Sequence, residues 1–85
     1  MDALENEKNL SSVGRILNIW KKVLKNNSIT LTDNFFDVGG TSVLIAQVYY
    51  DILEKFNLGE NDLSMIDLFD FSTPKEIGQF LDTLN

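Results

Sequence analysis

The chain has no cysteine and no histidine among its 85 residues. Without cysteine there is no disulfide framework, no thiolate nucleophile and no sulfur-based metal site. Without histidine the commonest general base is missing, and so is any Ser-His pair. Proline occurs once and glycine five times, too few for a disordered or collagen-like chain. Basic residues are also scarce, seven against thirteen acidic ones, which leaves a net charge of −6. Phosphate backbones are bound by clustered Lys and Arg, so this balance argues against nucleic acid as the main partner. It fits a protein that meets basic surfaces on other proteins. No apolar run approaches the roughly 20 residues of a membrane span. The opening "MDALENEKN" is polar and acidic, unlike a signal or transit peptide. A cytoplasmic location is therefore expected, and the initial Met points to a free-standing protein.

What the chain does contain is helical periodicity. Residues 1–9 are polar and are expected to form a frayed tail, with one domain over 10–85. Leu10, Val13, Ile16, Leu17, Trp20, Val23 and Leu24 recur at three- and four-residue spacing, one face of a helix. Ser11 or Ser12 is placed to cap it, and Asn26 or Asn27 to stop it in the left-handed conformation. The following "SITLTDNFFDVGG" alternates briefly like a strand, but no second strand exists to pair with it. It reads as a long ordered loop pinned by Ile29, Leu31, Phe35 and Phe36. A second helix is expected over 42–56. On a wheel of about 100° per residue, Leu44, Ile45, Val48, Tyr49, Ile52, Leu53 and Phe56 fill its apolar half. Val43 and Tyr50 fall outside that half, beside Gln47 and Glu54. "LSMIDLF" allows one or two helical turns. "STPKEIGQFLDTL" opens with Thr73 as cap, Pro74 at the first helical position and Glu76 completing a capping box. Ile77, Phe80, Leu81 and Leu84 form its stripe. The fold class is thus all-α, a small four-helix bundle of three longer helices and a short third one. Trp20, Phe35, Phe36, Phe56, Phe69 and Phe80 are its expected aromatic core.

The stretch "DNFFDVGGTS" at residues 33–42 places Gly39, Gly40, Thr41 and Ser42 at the mouth of the second helix. Three readings compete. The glycines permit a sharp turn, after which Thr41 or Ser42 caps the helix; this makes the chain an acidic interaction module. "DVGGT" also matches the Asp-x-Gly-Gly-Thr phosphate loop of sugar kinases. That motif follows a strand in a far larger two-domain fold, whereas here it opens a helix. A Walker loop fails for want of a Lys, and a calcium loop fails because Phe35 and Leu44 stand where oxygen ligands are needed. The third reading is attachment. A helix start offers unpaired N–H groups and partial positive charge, which favour an anion on Ser42. With no histidine to activate it, Ser42 is a poor nucleophile by itself but a possible substrate for another enzyme.

The chain closely resembles phosphopantetheine-dependent carrier proteins, nearest the peptidyl carrier (thiolation) domains of nonribosomal peptide synthetases. "DNFFDVGGTSVLIAQV" matches their attachment motif, "IWKKVL" at residues 19–24 their first helix, and "LFDFSTPKEIGQFL" at 68–81 their closing segment. The blocks occur in order, at the family's spacing, over about residues 10–84. The resemblance implies the four-helix carrier fold and 4′-phosphopantetheine on Ser42, donated from coenzyme A by a phosphopantetheinyl transferase. The arm then holds an aminoacyl or acyl group as a thioester. The implied chain is monomeric and non-catalytic, with no metal. Its implied partners are an adenylating or acyl-loading enzyme and downstream condensation or tailoring enzymes. Four positions depart from the pattern. Thr41 stands where His or Asp is usual and Val43 where Leu is usual. Ile66 replaces a polar or basic residue, and Phe71 a small one. Val43, Gln47, Tyr50, Glu54, Ile66 and Phe71 are accordingly the expected partner surface, with Ile66 and Phe71 alternatively completing the core.

Overall fold

The fold is that of a computed structural model, which describes residues 11–84. Leu10 and the expected N-terminal tail lie outside them. Helix α1 spans Ser12–Leu24, a 3-10 turn covers Phe35–Val38, and α2 spans Ser42–Lys55. The short α3 runs over Met65–Asp70 and α4 over Pro74–Asp82. The described residues contain no strand, and none of their helices is long and apolar enough to cross a membrane. The all-α, four-helix architecture is therefore as expected. Helix α1 packs against both α4 and α2, and α2 packs against α3.

Each helix begins where side-chain chemistry starts it. Ser11 caps α1, its hydroxyl accepting from the Gly14 N–H at 3.2 Å. Thr73 caps α4 by accepting from the Glu76 N–H at 3.2 Å, with Pro74 at the first helical position. The Glu76 carboxylate accepts from the Thr73 hydroxyl at 2.9 Å rather than from its backbone, a variant of the expected box. At α3 the Ser64 N–H donates to Asp67 Oδ2 at 3.0 Å. The end of α1 differs from expectation. Lys25, not Asn26, takes the left-handed conformation (φ 53°), and the Asn26 N–H returns to the Lys21 carbonyl at 3.1 Å. Asn26 instead uses its side chain, accepting from the Ser28 N–H at 2.9 Å.

The core gathers Ile16, Ile19 and Trp20 from α1, Ile45, Val48, Tyr49 and Ile52 from α2, and Ile77 and Leu81 from α4. Ile29, Phe35, Leu63 and Leu68 close it from the loops and α3. Full burial of each such side chain is worth about 1.5–3 kcal/mol. Trp20 meets Phe35 edge-on at 4.9 Å between ring centroids, a geometry that adds about 0.5–1.5 kcal/mol. The Trp20 indole N–H has no partner among the described residues. The expected aromatic core needs correction at two positions. Phe36 and Phe69 are 41% and 45% exposed, and they stack on one another at 5.8 Å. Leu31 and Leu84 are also exposed, so Ile29 and Phe35 are the loop's fully buried anchors, with Val38 partly buried against the core. Phe56 and Phe80 are half-buried against the core, and Phe56 carries the Arg15 guanidinium 4.0 Å above its ring.

Two close contacts hold the layers together. A Cβ on Gly78 would lie 2.5 Å from the Val13 Cα, so α4 crosses α1 at a separation only glycine permits. The Tyr49 hydroxyl donates to the Leu63 carbonyl at 2.6 Å and ties α2 to the connection that follows it. Gly78→Ala should lower stability by about 1–3 kcal/mol, because the clash is with backbone. A urea melt would show this as a lower midpoint at unchanged slope. Burial, helped by the Glu60 carboxylate, raises the Tyr49 pKa above its ordinary 10.0. The folded state then holds the proton longer than the unfolded chain, so stability is intact below pH 10 and falls as pH rises beyond it. Tyr49→Phe should flatten that alkaline decline in melts across the range.

Candidate functional site

The segment from Asn34 to Ser42 is built outward from Phe35. Asn34 accepts from the Phe36 N–H at 2.9 Å and donates through Nδ2 to the Ser72 hydroxyl at 2.8 Å. The Phe35 N–H donates to the Ser72 carbonyl at 2.8 Å, and the Lys75 N–H to the Leu31 carbonyl at 3.0 Å. The long loop is thereby sewn to the start of α4. With Phe35 buried, its carbonyl receives the N–H groups of both Gly39 and Gly40.

The two glycines serve different constraints. Gly39 has φ 103°, a left-handed backbone that a side chain strains, although nothing crowds its Cβ position. Gly40 lies on the Phe35 ring, where a Cβ would come within 2.1 Å of ring carbon Cδ2 and 2.6 Å of the Phe35 carbonyl oxygen. The turn at Gly39 and the close approach at Gly40 deliver Thr41 to the head of α2. Thr41 is the cap, with extended backbone and Oγ1 accepting from the Leu44 N–H at 3.2 Å. Its carbonyl takes the Ile45 N–H at 2.9 Å.

Ser42 is therefore not the cap. It is the first residue of α2 and is exposed, and its hydroxyl has no hydrogen-bond partner among the described residues. The N–H groups of Ser42 and Val43 are likewise unpaired among those residues, at the positive end of a fourteen-residue helix. The site thus combines a free hydroxyl, two open N–H donors and a glycine surface that keeps side chains away. It has no histidine to act as general base, since the chain lacks that residue.

Residues 14–81 match the phosphopantetheine attachment site family. The chain belongs to that family. It is 31% identical over 67 residues to polyketide synthase PksN of Bacillus subtilis (strain 168), covering 79% of this chain and 1% of that protein. A linear gramicidin synthase of Brevibacillus parabrevis is 34% identical over 68 residues, covering 80% of this chain and 1% of the synthase. A shorter match, 52% identical over 33 residues, joins 39% of the chain to 2% of AMB antimetabolite synthetase AmbE of Pseudomonas aeruginosa. The chain thus spans only 1–2% of the length of these relatives. No solved structure gives a match. The matched region makes the chain a carrier domain of the phosphopantetheine-dependent type.

The residues expected to meet partners divide among several places. Val43 (71% exposed), Gln47 and Tyr50 (56% exposed) line one groove between α2 and the end of α1. Glu54 is exposed further along α2, outside that groove. Ile66 is 70% exposed on α3, which decides against a core role for it. Phe71 stands between its two expected roles. It is half-buried and stacks on Phe80 at 5.0 Å, facing a hollow shared with Glu76, Gln79 and Thr83. The pair that sequence reasoning missed is Phe36 with Phe69. Each sits beside an acidic residue, Asp37 and Asp70, which was the available sign that one side of each faces water.

Separating cap from hydroxyl gives a direct test. Thr41→Ala should cost about 0.5–2 kcal/mol through loss of the cap. Ser42→Ala should change stability by less than about 0.5 kcal/mol. Urea melts of both variants would check the order, and a larger loss for Ser42→Ala would reverse the assignment.

Proposed function

We propose that Ser42 is the residue to which 4′-phosphopantetheine is joined, within a carrier domain over residues 10–85. The observation that carries this is the division of labour at the head of α2, where Thr41 caps the helix and Ser42 keeps an exposed, unpartnered hydroxyl. The same geometry weakens the rival reading in which residues 39–42 serve only as a cap. The surroundings fit the group, since a phosphodiester on Ser42 would meet two open N–H donors and the positive helix end. When bound, the arm supplies the thiol that carries the acyl or aminoacyl group as a thioester.

In the attachment step the Ser42 oxygen forms a bond to the phosphorus nearest pantetheine in coenzyme A. The adenosine 3′,5′-bisphosphate group leaves, and the serine proton passes to a base of the transferase. The carrier offers no histidine for that proton, which accords with a substrate rather than a catalyst. The protein itself is then non-catalytic and works in the cytoplasm. It receives the arm from a phosphopantetheinyl transferase and its cargo from an adenylating or acyl-loading enzyme. It gives that cargo to condensation or tailoring enzymes. Gly39, Gly40 and Thr41 shape the access path. Ile66 with the Phe36–Phe69 pair offers an apolar contact area on the α3 side.

Incubation with coenzyme A, magnesium and a broad-specificity phosphopantetheinyl transferase should add the mass of one phosphopantetheinyl group to the parent chain. Ser42→Ala should gain nothing while keeping its fold. Intact-mass spectrometry reads both outcomes, and a mass gain in the variant would place the attachment elsewhere.

A further inference from the structure

The charges of this acidic protein are not evenly spread. From residue 11 to 32 the chain carries Arg15, Lys21, Lys22 and Lys25 and no carboxylate. From residue 33 to 84 it carries ten carboxylates and only Lys55 and Lys75. Folding places the basic end of α1 beside the exposed apolar side of α2. The groove between them takes its apolar lining from Val23, Val43, Ala46 and Tyr50, and its α1 edge from Lys22 and Lys25. Lys22 lies 3.7 Å from Asp51, the one carboxylate in the groove, so the lining carries two ammonium groups against one carboxylate. The Lys25 ammonium has no partner among the described residues. A second hollow, bordered by Lys21, Lys22 and Lys55, adjoins the first through Lys22 and extends the basic edge along the α1–α2 seam.

Lysines in the last turn of α1 complement its helix dipole, and that alone would explain Lys21 and Lys22. It does not explain why two large apolar side chains, Val43 and Tyr50, stand exposed in the same groove. The α3 side of the molecule has the opposite character, with Phe36, Ile66 and Phe69 flanked along the chain by Asp37, Asp67 and Asp70. The two apolar areas are thus edged by charges of opposite sign.

We propose that the α1–α2 groove is a docking site for an acidic amphipathic segment of a partner protein. Its apolar residues would seat on Val43 and Tyr50, and its carboxylates would face Lys22 and Lys25. Charge complementarity selects this occupant. A nucleic acid or an anionic membrane would meet the whole molecule's net charge of −6, whereas a short segment feels mainly charges within a Debye length of about 8 Å. Rim charges act chiefly on association rate and partner choice, so the contact belongs to the weak, transient class. The two apolar areas would then sort partners by charge. The proposal does not depend on Ser42 being the attachment residue.

The test is an amide NMR titration of the full chain with two synthetic helical peptides. Both carry Leu at helical spacing; one is flanked by Glu and the other by Lys. The Glu peptide should shift signals of residues 22–25 and 43–51, and its affinity should fall as salt is raised. The double variant Lys22→Glu, Lys25→Glu should weaken it about tenfold, and Tyr50→Ser should weaken it in the same direction. Both variants alter exposed positions, and their own amide spectra report whether the fold is kept. Ser42→Ala should bind as the parent does, which separates this result from the attachment reading. Shifts centred on Ile66 and Phe69, or equal binding by the double variant, would overturn the proposal. So would concentration-dependent shifts of the groove residues without peptide, which would place a second copy there.

Discussion

The burial of Phe35 is the constraint on which the rest of the site depends. Its ring closes the core against Trp20, its N–H is held by the Ser72 carbonyl, and its own carbonyl gathers the N–H groups of Gly39 and Gly40. The ring also forms the surface on which Gly40 rests without a side chain. One aromatic residue therefore fixes the depth of the long loop, the direction of the turn and the starting point of α2. A displacement of that ring would move Thr41 and Ser42 together. Core packing and the geometry of the exposed hydroxyl are in this sense one problem.

A carrier must be rigid enough to present one atom and open enough for several enzymes to reach it. The four helices meet the first demand through close contacts such as Gly78 on Val13 and the buried Tyr49–Leu63 hydrogen bond. On the proposed reading of Ser42 the second demand falls to the head of α2, where glycines replace side chains and the cap is displaced by one residue from the exposed hydroxyl. Around it the surface is divided. Apolar residues on the α3 side lie among carboxylates, and those in the α1–α2 groove lie beside lysines. Net charge alone hides this separation, because the lysines of α1 are outnumbered in the sum.

Most of the secondary structure was legible in the chain because its signals are local. Helical periodicity, Thr73-Pro74 and the Ser11 cap each act within a few residues, and the described helices begin where those signals stand. The stretch Gly39-Gly40-Thr41-Ser42 at a helix start was legible for the same reason, being contiguous. Burial was less so. Phe35 and Phe36 are neighbours of identical chemistry, yet one is in the core and the other stacks on Phe69 in the open. Their fates diverge because the 3-10 turn points them in different directions. Phe71, read as either a partner contact or part of the core, is half-buried and stacks on Phe80.

The sequence by itself determined the helical class, the absence of cysteine and histidine chemistry, and the placing of a serine after two glycines at a helix start. These follow from composition and short-range spacing. Only the tertiary structure decided that Thr41 caps while Ser42 stays free, that Gly40 must be bare because Phe35 lies beneath it, and that Lys22 and Lys25 stand beside Val43 and Tyr50. Each of those depends on residues brought together by packing, and no local pattern encodes which of two adjacent hydroxyls, or which of two adjacent rings, the packing will use.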